Sequence, residues 1–508
     1  MILTILDAVQ GNPVGAVGSL LVGSFVIFWV VPFLYNFFFS PLRNVPGPFW
    51  ARFTILWEFY QLMKGRSHEE YIKLHQKYGP VVRVSPKRYS VIDPQDVKKI
   101  YGFGGEFPKS EFYDAMGDPK NIFTVRDNED HKDRRRKVAS LYTMSAMVAY
   151  EDAVDRMTTL CIKKMNELAA SRKLTSIPRF MQFYAFDVIG EITFDQNFGM
   201  MENMGDTQGI IKEIHAMNNT IGIMGLLPEL QSTWRAAQKV LFSGTSGGKV
   251  TEYIWSQYWK HRNTNSGAKQ KSQYDTFLRK ILELEAAHKV GRINVLDSCG
   301  SNIGAGSDTT GITLSAALWY IYRNPDKLAK LRHEIDTMTA EGRISDPVTY
   351  KQAQEMPYLN AVIKETLRVH PGVGTILARV VPKGGITLTG GYYVPEGTHI
   401  GTNAWPLHYS ETVYGADADQ YRPERWLEDK PQPDYRDSMM FAFGSGSRTC
   451  IGRNVSLLEI TKVLPQIIRK FDLKFEEKKD PWDAWCAWFV YPKYKCWIEP
   501  RKPVEYVA

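Results

Sequence analysis

One cysteine stands in a sequence context that favours metal chemistry. Cys450 follows a glycine-rich loop that runs from Phe443 to Arg448 and leads into a helical run over 454–468. A dinucleotide-binding loop would need its third glycine where Thr449 stands, so the loop does not fit that use. Backbone N–H groups at a helix start stabilise a thiolate, and glycines allow close approach to a flat macrocycle. The pattern therefore predicts a heme whose iron is bound by the Cys450 thiolate.

A second stretch, over 293–322, is largely apolar but rich in glycine. It contains Gly300, Gly304, Gly306 and Gly311. Each glycine costs a helix up to about 1 kcal/mol relative to alanine, so a helix with a purely structural role is not expected to carry four. We therefore expect a helix that approaches a ligand closely.

Two further pairs of polar residues have helical spacing. Glu365 and Arg368 are three residues apart in a predicted helix over 358–370, so they share one helix face. If that face is exposed, the pair contributes under about 1 kcal/mol. His131 and Arg135 are four residues apart and also share a face.

The loop before Cys450 carries a family signature. It matches every fixed position of the heme-binding pattern of the cytochrome P-450 superfamily, with Phe443, Gly446, Arg448, Cys450 and Gly452. The chain resembles this superfamily over essentially its whole length. The stretches 39–43 and 108–113 resemble, more narrowly, the fungal pisatin demethylase-like branch, which serves secondary metabolism. The resemblance implies the family's fold, which is mostly α-helical with small β-sheets.

The resemblance also implies roles around a heme b group. Cys450 is then the axial metal ligand, Phe443 packs beside its sulfur, and Arg448 pairs with a propionate. The glycine-rich stretch resembles the family's distal helix, in which Ala305 and Gly306 line the oxygen pocket.

The same helix also resembles the family's distal helix at two polar positions, one acidic and one carrying a hydroxyl group. Asp308 and Thr309 stand where the family has an acid–alcohol pair. Thr309 can donate a hydrogen bond to a group on the iron, and Asp308 can pass protons through water, as positioned acid–base catalysis requires. These two residues are the predicted catalytic pair.

The remaining family positions concern assembly and the propionates. Glu365 and Arg368 are completed by Arg425 in a buried ion network, and breaking such a network typically costs roughly 3–5 kcal/mol. His131, Arg135 and Arg379 match propionate partners. The family often has tryptophan at the position of His131, and a histidine ring keeps an N–H to donate.

Substrate contacts follow from the resemblance too. They are expected from 112–125, from the distal helix before Ala305, from 373–377, and from Trp488 and Phe489. Most of these residues are apolar or aromatic, which favours a hydrophobic substrate such as a terpenoid or an aromatic polyketide. An ordinary core role for Trp488 and Phe489 stays open.

The N-terminal region is apolar and without charge. No acidic or basic side chain lies between Asp7 and Arg43, and at about 1.5 Å per residue the stretch 16–39 is long enough to cross a hydrocarbon core of roughly 30 Å. The basic residues follow this stretch, which predicts an uncleaved anchor with the remaining chain on the cytosolic side of the endoplasmic reticulum. A buried core helix is the alternative.

The composition fits one large catalytic domain. The 508 residues include 63 Lys and Arg against 55 Asp and Glu, and the five cysteines form no Cys-x-x-Cys pair, so a disulfide scaffold or zinc site is not expected. The basic run 132–137 lacks the aromatic residues of a single-strand binding surface, so no nucleic-acid partner is expected. We predict a segment 1–15, an anchor 16–39, a proline-rich hinge 40–50 and a catalytic domain 51–508.

The predicted activity is that of a heme-thiolate monooxygenase. The resemblance implies electrons from NADPH through cytochrome P-450 reductase, for which Lys132, Arg134 and Lys137 could form a docking surface, and a monomeric catalytic unit. One oxygen atom would enter a hydrophobic small molecule. Two alternatives are a reductase-independent heme-thiolate isomerase or dehydratase, and a non-catalytic heme or lipid carrier.

Overall fold

The computed structural model describes residues 18–502, apart from positions 20, 25, 41, 105, 118–120, 242–247, 265–274, 429–434 and 477–482. The predicted segment 1–15 and the first two residues of the predicted anchor lie outside the described residues.

Helices make up most of the structure, which confirms the predicted fold class. They are α1 Val31–Leu34, α2 Leu56–Met63, α3 Ser67–Tyr78, α4 Pro94–Tyr101, α5 Asn128–Val138, α6 Met144–Val148, α7 Glu151–Ser171, α8 Ile177–Phe194, α9 Met200–Asn203, α10 Ile210–Leu226, α11 Gln231–Leu241, α12 Lys249–Thr264, α13 Phe277–Ala286, α14 Arg292–Ser301, α15 Ser307–Tyr322, α16 Pro325–Ala340, α17 Tyr350–Gln354, α18 Pro357–Val369, α19 Ala404–His408, α20 Glu411–Tyr414 and α21 Arg453–Lys470. The predicted helices over 358–370 and 454–468 correspond to α18 and α21.

The strands are short and form one four-stranded sheet and three two-stranded sheets. They are β1 Val81–Ser85, β2 Arg88–Val91, β3 Arg379–Val380, β4 Ile386–Leu388, β5 Tyr392–Val394, β6 His399–Gly401, β7 Phe471–Phe475, β8 Asp483–Cys486, β9 Val490–Lys493 and β10 Cys496–Pro500. The larger sheet has the order β1-β2-β6-β3, with β2 and β6 parallel and the other pairs antiparallel. The other pairs are β4 with β5, β7 with β10, and β8 with β9.

Local sequence explains where the helices near the site begin. The side chain of Asp127 accepts a hydrogen bond from Asp130 N and caps α5. Pro357 occupies the first turn of α18, where the missing N–H leaves no helix hydrogen bond unmade. Both caps lie one turn or more before a predicted site residue, so the helix registers of His131 and Arg368 are set locally.

The main core lies among the long helices. α8 is buried almost throughout its length and packs along α15, and α21 packs against both α15 and α7. At Gly311 an added Cβ would lie 2.9 Å from Gln182 Cα, so the close approach of α15 to α8 requires glycine. This corrects one expectation, because Gly311 serves helix packing rather than the approach of a ligand.

The predicted hinge is packed against the four-stranded sheet. Arg83 N in β1 donates a hydrogen bond to Pro46 O at 2.8 Å, and Val45 is buried. A side chain at Gly47 would collide with the Arg83 carbonyl oxygen. These contacts tie the start of the catalytic domain to β1.

Part of the predicted anchor is described as three short helical segments. A π-helical turn over Val26–Val30 precedes α1, and a second over Tyr35–Phe39 follows it. Among the described residues, no helix combines the length and apolar character needed to cross a membrane.

Candidate functional site

The loop before Cys450 is a fixed turn. Cys450 N donates a hydrogen bond to Phe443 O at 2.8 Å, and Thr449 N donates to Gly446 O at 3.1 Å. Gly446 has φ of 63°, and a Cβ there would collide with the carbonyl oxygen of Tyr101. A side chain is therefore excluded at Gly446 on both conformational and steric grounds. The turn presents the Cys450 thiol at the start of α21.

Cys450 is an exposed residue, although many protein atoms surround its thiol. Burial raises its pKa, and hydrogen bonds from the N–H groups of Gly452 and Arg453, together with the positive charge of Arg135, act in the opposite direction. The site thus offers a thiolate some stabilisation without making the free thiol acidic. A positive metal ion would supply the rest, because coordination deprotonates a thiol outright.

The glycine-rich stretch is one helical rod with a π-helical turn at its centre. Asn302–Gly306 forms this turn between α14 and α15, and π turns occur frequently at functional sites. Ala305 is exposed although most of the neighbouring α15 is buried. Thr309 Oγ1 donates a hydrogen bond to Ala305 O at 2.8 Å, and nothing lies within 4 Å of a Cβ built at Gly304. Open space therefore adjoins the predicted oxygen pocket.

Asp308 points away from open space into a buried hydrogen-bond network. Its side chain has 0% relative exposure. Oδ1 accepts from the amide nitrogen of Gln182 in α8, while Oδ2 accepts from Tyr491 Oη at 2.7 Å and Asn218 Nδ2 at 3.3 Å. Burial and the Asp308 carboxylate raise the pKa of Tyr491, so this hydroxyl keeps its proton and acts as the donor. We call Asp308 and these three partners the Asp308 network.

The predicted propionate residues lie close together, with one further cation among them. His131 on α5 is within electrostatic range of Arg135 on the same helix, of Arg379 on β3, of Arg448 before Cys450, and of Lys109. We call these five side chains the cation cluster. Burial and the positive charges of its four neighbours lower the pKa of His131 to about 3. Burial, Arg379 and Arg448 hold the pKa of Lys109 well below its ordinary value. Near neutral pH His131 is therefore uncharged, and the arginines of the cluster are positive charges that repel one another.

Lys109 was not predicted as a site residue. Its Nζ donates to the Phe123 carbonyl oxygen and lies 3.8 Å from the Phe123 ring centroid and 4.1 Å from that of Tyr113. The stretch 108–113 had suggested only a family branch. A lysine beside aromatic residues carries no distinctive signal in one sequence, because its burial depends on β3 and the Cys450 loop.

The arginines of the cation cluster hold the backbone of the site together. Arg448 donates to the carbonyl oxygens of Val125, Arg126 and Asp127 at 2.7–3.0 Å, and Arg135 Nη1 donates to Thr449 O at 2.7 Å. Arg135 therefore links α5 to the Cys450 loop, and Arg448 links that loop to the segment before α5. Neutral carbonyl groups satisfy the hydrogen-bonding capacity of these arginines but do not balance their charge.

The cluster fits a ligand with two negative charges. Within the part of the chain that the structure describes, no salt bridge joins any of its five members to a carboxylate. Buried charges are normally paired, so a region of this kind indicates an anionic partner. A heme carries two propionates, and an accessible thiol stands beside the cluster. The residues present therefore fit a heme, with Cys450 towards the iron and the cation cluster towards the propionates.

Glu365, Arg368 and Arg425 form a fully buried ion network, which we call the Glu365 network. Arg368 makes two hydrogen bonds to Glu365, at 2.7 and 2.9 Å, and Arg425 Nε lies 3.0 Å from Glu365 Oε1. Arg368 also donates to the carbonyl oxygens of His408, Ala418 and Gln420 at 2.6–2.7 Å. α18 is thereby joined to the segment that follows α19.

A short path connects this network to the Cys450 loop. His408 Nδ1 contacts Arg368 O at 2.8 Å, and its Nε2 accepts from Phe441 N at 2.8 Å. Burial lowers the pKa of His408 to about 3, which keeps the ring neutral and able to accept. Phe441 stands two residues before Phe443, so the Glu365 network positions the entrance of the loop.

Three of the four expected substrate segments meet in one apolar cluster, namely 112–125, 373–377 and the pair Trp488 and Phe489. The distal helix contributes Ile312, which follows Ala305, and not a residue before Ala305. Phe112, Trp488 and Phe489 are buried together with Ile221 from α10 and Ile312 from α15. The Trp488 and Phe489 rings stack with centroids 4.9 Å apart. The structure thus brings together segments more than 300 residues apart in the sequence. A substrate-contacting role for Trp488 and Phe489 stays a prediction, since buried stacking equally suits a core pair.

The basic residues on the outer part of α5 are paired within their own helix. Lys132 lies 3.5 Å from Glu129, Arg134 lies 2.7 Å from Asp130, and Lys137 lies 2.6 Å from Asp133. Intrahelical partners reduce the net positive charge that this face presents. The predicted reductase surface is therefore weaker in charge than the run 132–137 suggested.

Comparison with known proteins matches the chain to one protein family and to several named relatives. The family described as Cytochrome P450 matches residues 46–497. The chain is 40% identical over 477 residues to pisatin demethylase of Fusarium vanettenii, an alignment that covers 92% of both proteins. The matched range contains every site residue described above.

Two further relatives carry monooxygenase names. The chain is 33% identical over 463 residues to cytochrome P450 monooxygenase cicH of Emericella nidulans, which covers 89% of this chain and 92% of the relative. It is 32% identical over 483 residues to cytochrome P450 monooxygenase gsfF of Penicillium aethiopicum, which covers 92% of this chain and 94% of the relative.

Proposed function

The chain belongs to the cytochrome P450 family of monooxygenases, and on that premise we propose that it oxygenates a hydrophobic small molecule in fungal secondary metabolism. The observation that carries the proposal is the accessible Cys450 thiol, held in a fixed turn beside the uncompensated cation cluster. The family implies a heme with a thiolate ligand.

Bound heme supplies the reduction and cleavage of dioxygen, and the protein supplies binding, orientation and protons. Cys450 holds the iron, and the cation cluster holds the propionates. Phe443 packs beside the turn and limits access of water to the sulfur. Gly446 keeps the backbone close to Tyr101, so the loop cannot open without breaking the turn.

Asp308 and Thr309 have different tasks in this proposal. Thr309 Oγ1 now donates to Ala305 O, and rotation about χ1 directs the same hydroxyl into the open space beside the π turn. Asp308 is held by three donors and supplies the protons that the reduction of dioxygen consumes. Positioned proton donors of this kind typically contribute a factor of about 10²–10⁴ in rate.

The substrate is proposed to be apolar and at least partly aromatic. The cluster around Phe112 and Trp488 offers stacking surfaces and no charged side chain among its members. A relative is named for a demethylation, and removal of an aromatic O-methyl group begins with oxygenation of its C–H bond. We therefore include aromatic methyl ethers beside terpenoids and polyketides among the candidate substrates.

The chain is further proposed to be anchored in the endoplasmic reticulum by 16–39 and to receive electrons from NADPH through cytochrome P-450 reductase. The absence of charge between Asp7 and Arg43 supports the anchor. Exposed aromatic side chains follow it, including Phe49 and Trp50, and these would suit the interfacial region of a bilayer.

The test is expression of the full chain with a reductase, followed by spectroscopy and product analysis. The reduced protein with carbon monoxide should show the red-shifted Soret band of a thiolate-bound heme, and Cys450→Ala should lose it. Membranes fed with aromatic methyl ethers, terpenoids and aromatic polyketides should yield products heavier by one oxygen atom, or demethylated, only with NADPH.

Two results would contradict the proposal. Turnover that persists without NADPH would favour the isomerase or dehydratase alternative. Stable heme binding with no consumption of NADPH on any substrate, and with Thr309→Ala indistinguishable from the parent protein, would favour a carrier. Cys496→Ala serves as the control for a thiol substitution, because Cys496 is buried in β10 away from the loop.

A further inference from the structure

The Asp308 network extends to a histidine that reaches the surface. His215 lies on α10, and 33% of its side chain is exposed, whereas the Asp308 side chain has no exposure. His215 Nε2 lies 2.7 Å from Gln182 Nε2 and 3.6 Å from Asp308 Oδ1. Its ring also packs against Tyr491, with centroids 4.5 Å apart. His215 and Tyr491 are thus the partly exposed members of a group in which Asp308, Gln182 and Asn218 are buried.

The chemistry of the contacts determines which groups donate. A carboxylate oxygen can only accept, so the atom of Gln182 that contacts Asp308 must be the amide nitrogen. The second hydrogen of that NH₂ group then faces His215 Nε2, which must accept it through its lone pair. In this arrangement His215 is neutral and carries its proton on Nδ1. The Gln182 amide therefore bridges an acceptor histidine and an ionised Asp308.

Protonation of His215 reverses one of these contacts. A proton on Nε2 converts the acceptor into a donor that faces the Gln182 N–H, and two donors cannot share a hydrogen bond. The ring must then change partner, and Asp308 Oδ1 at 3.6 Å is the nearest carboxylate oxygen recorded for it. A small shift of the Gln182 amide would allow Nε2–H to donate to Oδ1 and pass its proton there.

We propose that His215 is the entry point through which protons reach Asp308 from solvent. The step is balanced: the His215 ring takes one proton from solvent and becomes a cation, its Nε2–H bond breaks as an O–H bond forms on Asp308 Oδ1, and His215 returns to its neutral form. The proposal rests on the proposed function, in which Asp308 supplies protons to the reaction. His215 acts through Asp308 and is a positioning residue, not a catalytic one.

Among the described residues, two titratable side chains are recorded in contact with His215. Asp308 approaches from α15 and Tyr491 from β9, and the contact from α8 is the neutral Gln182. Burial and Asp308 raise the pKa of Tyr491, so it does not compete as an acid. On α10 itself the sequence neighbours are charged, and Glu213 is engaged as acceptor of Lys249 N at 2.9 Å.

The test measures protonation of Asp308 directly. The heme-loaded, oxidised full chain is subjected to a rapid drop in pH, and the carboxylic-acid C=O band is followed by infrared absorption. The band belongs to Asp308 if it is absent in Asp308→Asn. His215→Gln keeps an acceptor for the Gln182 amide but cannot carry a proton, so we expect the band to rise about a hundredfold more slowly. His215→Phe should behave in the same way.

Two comparison variants separate proton entry from mere packing. His333→Gln makes the same change at an exposed histidine on α16 and should leave the rate unaltered. Asn218→Leu removes a hydrogen bond to Asp308 without removing a titratable group, so it should slow the rate far less than His215→Gln does. An unchanged rate in His215→Gln, or equal slowing in Asn218→Leu, overturns the proposal.

The measurement needs no substrate and no turnover. If the protein fails to oxygenate any compound, the proposed function fails while the protonation rates still decide the role of His215. If His215→Gln protonates Asp308 at the normal rate and oxygenation continues, the proposed function stands and this inference fails.

Discussion

Two groups of arginines lie near the same loop, one fully buried and the other mostly half-buried, and their charges are balanced in opposite ways. In the Glu365 network a carboxylate lies within 3.0 Å of both guanidinium groups. In the cation cluster the described structure gives no salt bridge to any member, and the arginines are bound by backbone carbonyl groups. A buried charge that has an oppositely charged partner in the same protein needs no further ligand. A charge withdrawn from water without such a partner indicates that a bound ligand of opposite charge neutralises it.

The pKa directions follow the same division. Although burial opposes it, the Glu365 carboxylate raises the pKa of Arg368. Burial and the charge of Arg379 lower the pKa of Arg448 to about 10. A residue of the first group should therefore matter for folding with or without the cofactor. A residue of the second group should increase the affinity for the cofactor and should lower the stability of the cofactor-free protein.

The largest expected effect is in the Glu365 network. Arg368→Ala leaves the buried Glu365 with one of its two arginine partners, so the free energy of unfolding should fall by roughly 3–5 kcal/mol, and most of the protein should fail to fold. Denaturant unfolding and the yield of soluble protein measure this. Arg343→Ala, at an exposed salt bridge, is the control. A loss below about 1 kcal/mol in Arg368→Ala would show that the two groups do not differ.

The second-largest expected effect is a gain in stability of the cofactor-free protein together with a loss of heme affinity. Lys109→Met removes one charge from the cation cluster and keeps most of the side-chain volume. The cofactor-free protein should become more stable, because repulsion falls, while heme affinity should drop about tenfold, which corresponds to 1.4 kcal/mol. Thermal unfolding of the cofactor-free protein and heme transfer to an acceptor globin measure the two quantities.

Lys73→Met, at an exposed site on α3, is the matched control for this variant. If Lys109→Met lowered the stability of both forms, Lys109 would belong with the paired arginines rather than with the cation cluster.

A smaller effect should appear in the pH dependence of stability. The pKa of His131 is about 3 in the folded protein and near 6.5 in an unfolded chain, so the unfolded chain binds a proton first as pH falls. The contribution to stability is complete above about pH 6.5 and is lost progressively as pH falls towards 3. His131→Phe should lose less stability than the parent protein between about pH 7 and pH 5.

Denaturant midpoints at several pH values measure this slope, and His333→Phe at an exposed site should leave it unchanged. Bound propionates should also flatten the slope of the parent protein, since negative charge beside His131 raises its pKa. A slope that is the same in His131→Phe as in the parent protein would remove His131 from the cation cluster.

The smallest effect is expected on the outer face of α5. Lys132→Ala breaks an exposed contact with Glu129, and the denaturant midpoint should not change measurably. If this face docks a reductase, the rate of electron transfer should decrease slightly and become less sensitive to salt. A clear loss of stability would show that α5 needs this pair.

Local patterns predicted much of the fold and of the site. Two of these patterns extend over only a few residues: the signature around Cys450 and the spacing of Glu365 and Arg368. The corresponding helices α21 and α18 are where they were expected. Substitution costs also follow local rules, which is why four glycines in one helix pointed to an unusual segment. The π turn at Asn302–Gly306 lies within that segment.

The reading of the glycines also shows the limit of such reasoning. Gly311 is explained by Gln182 Cα on another helix, not by a ligand. The residues next to Gly311 in the sequence do not indicate that Gln182 will lie beside it. The same holds for Lys109, whose burial depends on contacts with residues that are distant along the chain.

The sequence by itself determined the thiolate loop, the helical fold class and the residues able to bind a heme, because each of these depends on the identity and spacing of close neighbours. Only the tertiary structure decided how buried charges are balanced. Asp308 meets Gln182, Asn218, Tyr491 and His215 from three other elements, and the cation cluster draws on four separate segments. Charge balance depends on distances through space, which long loops and helix packing set and which no short stretch of sequence contains.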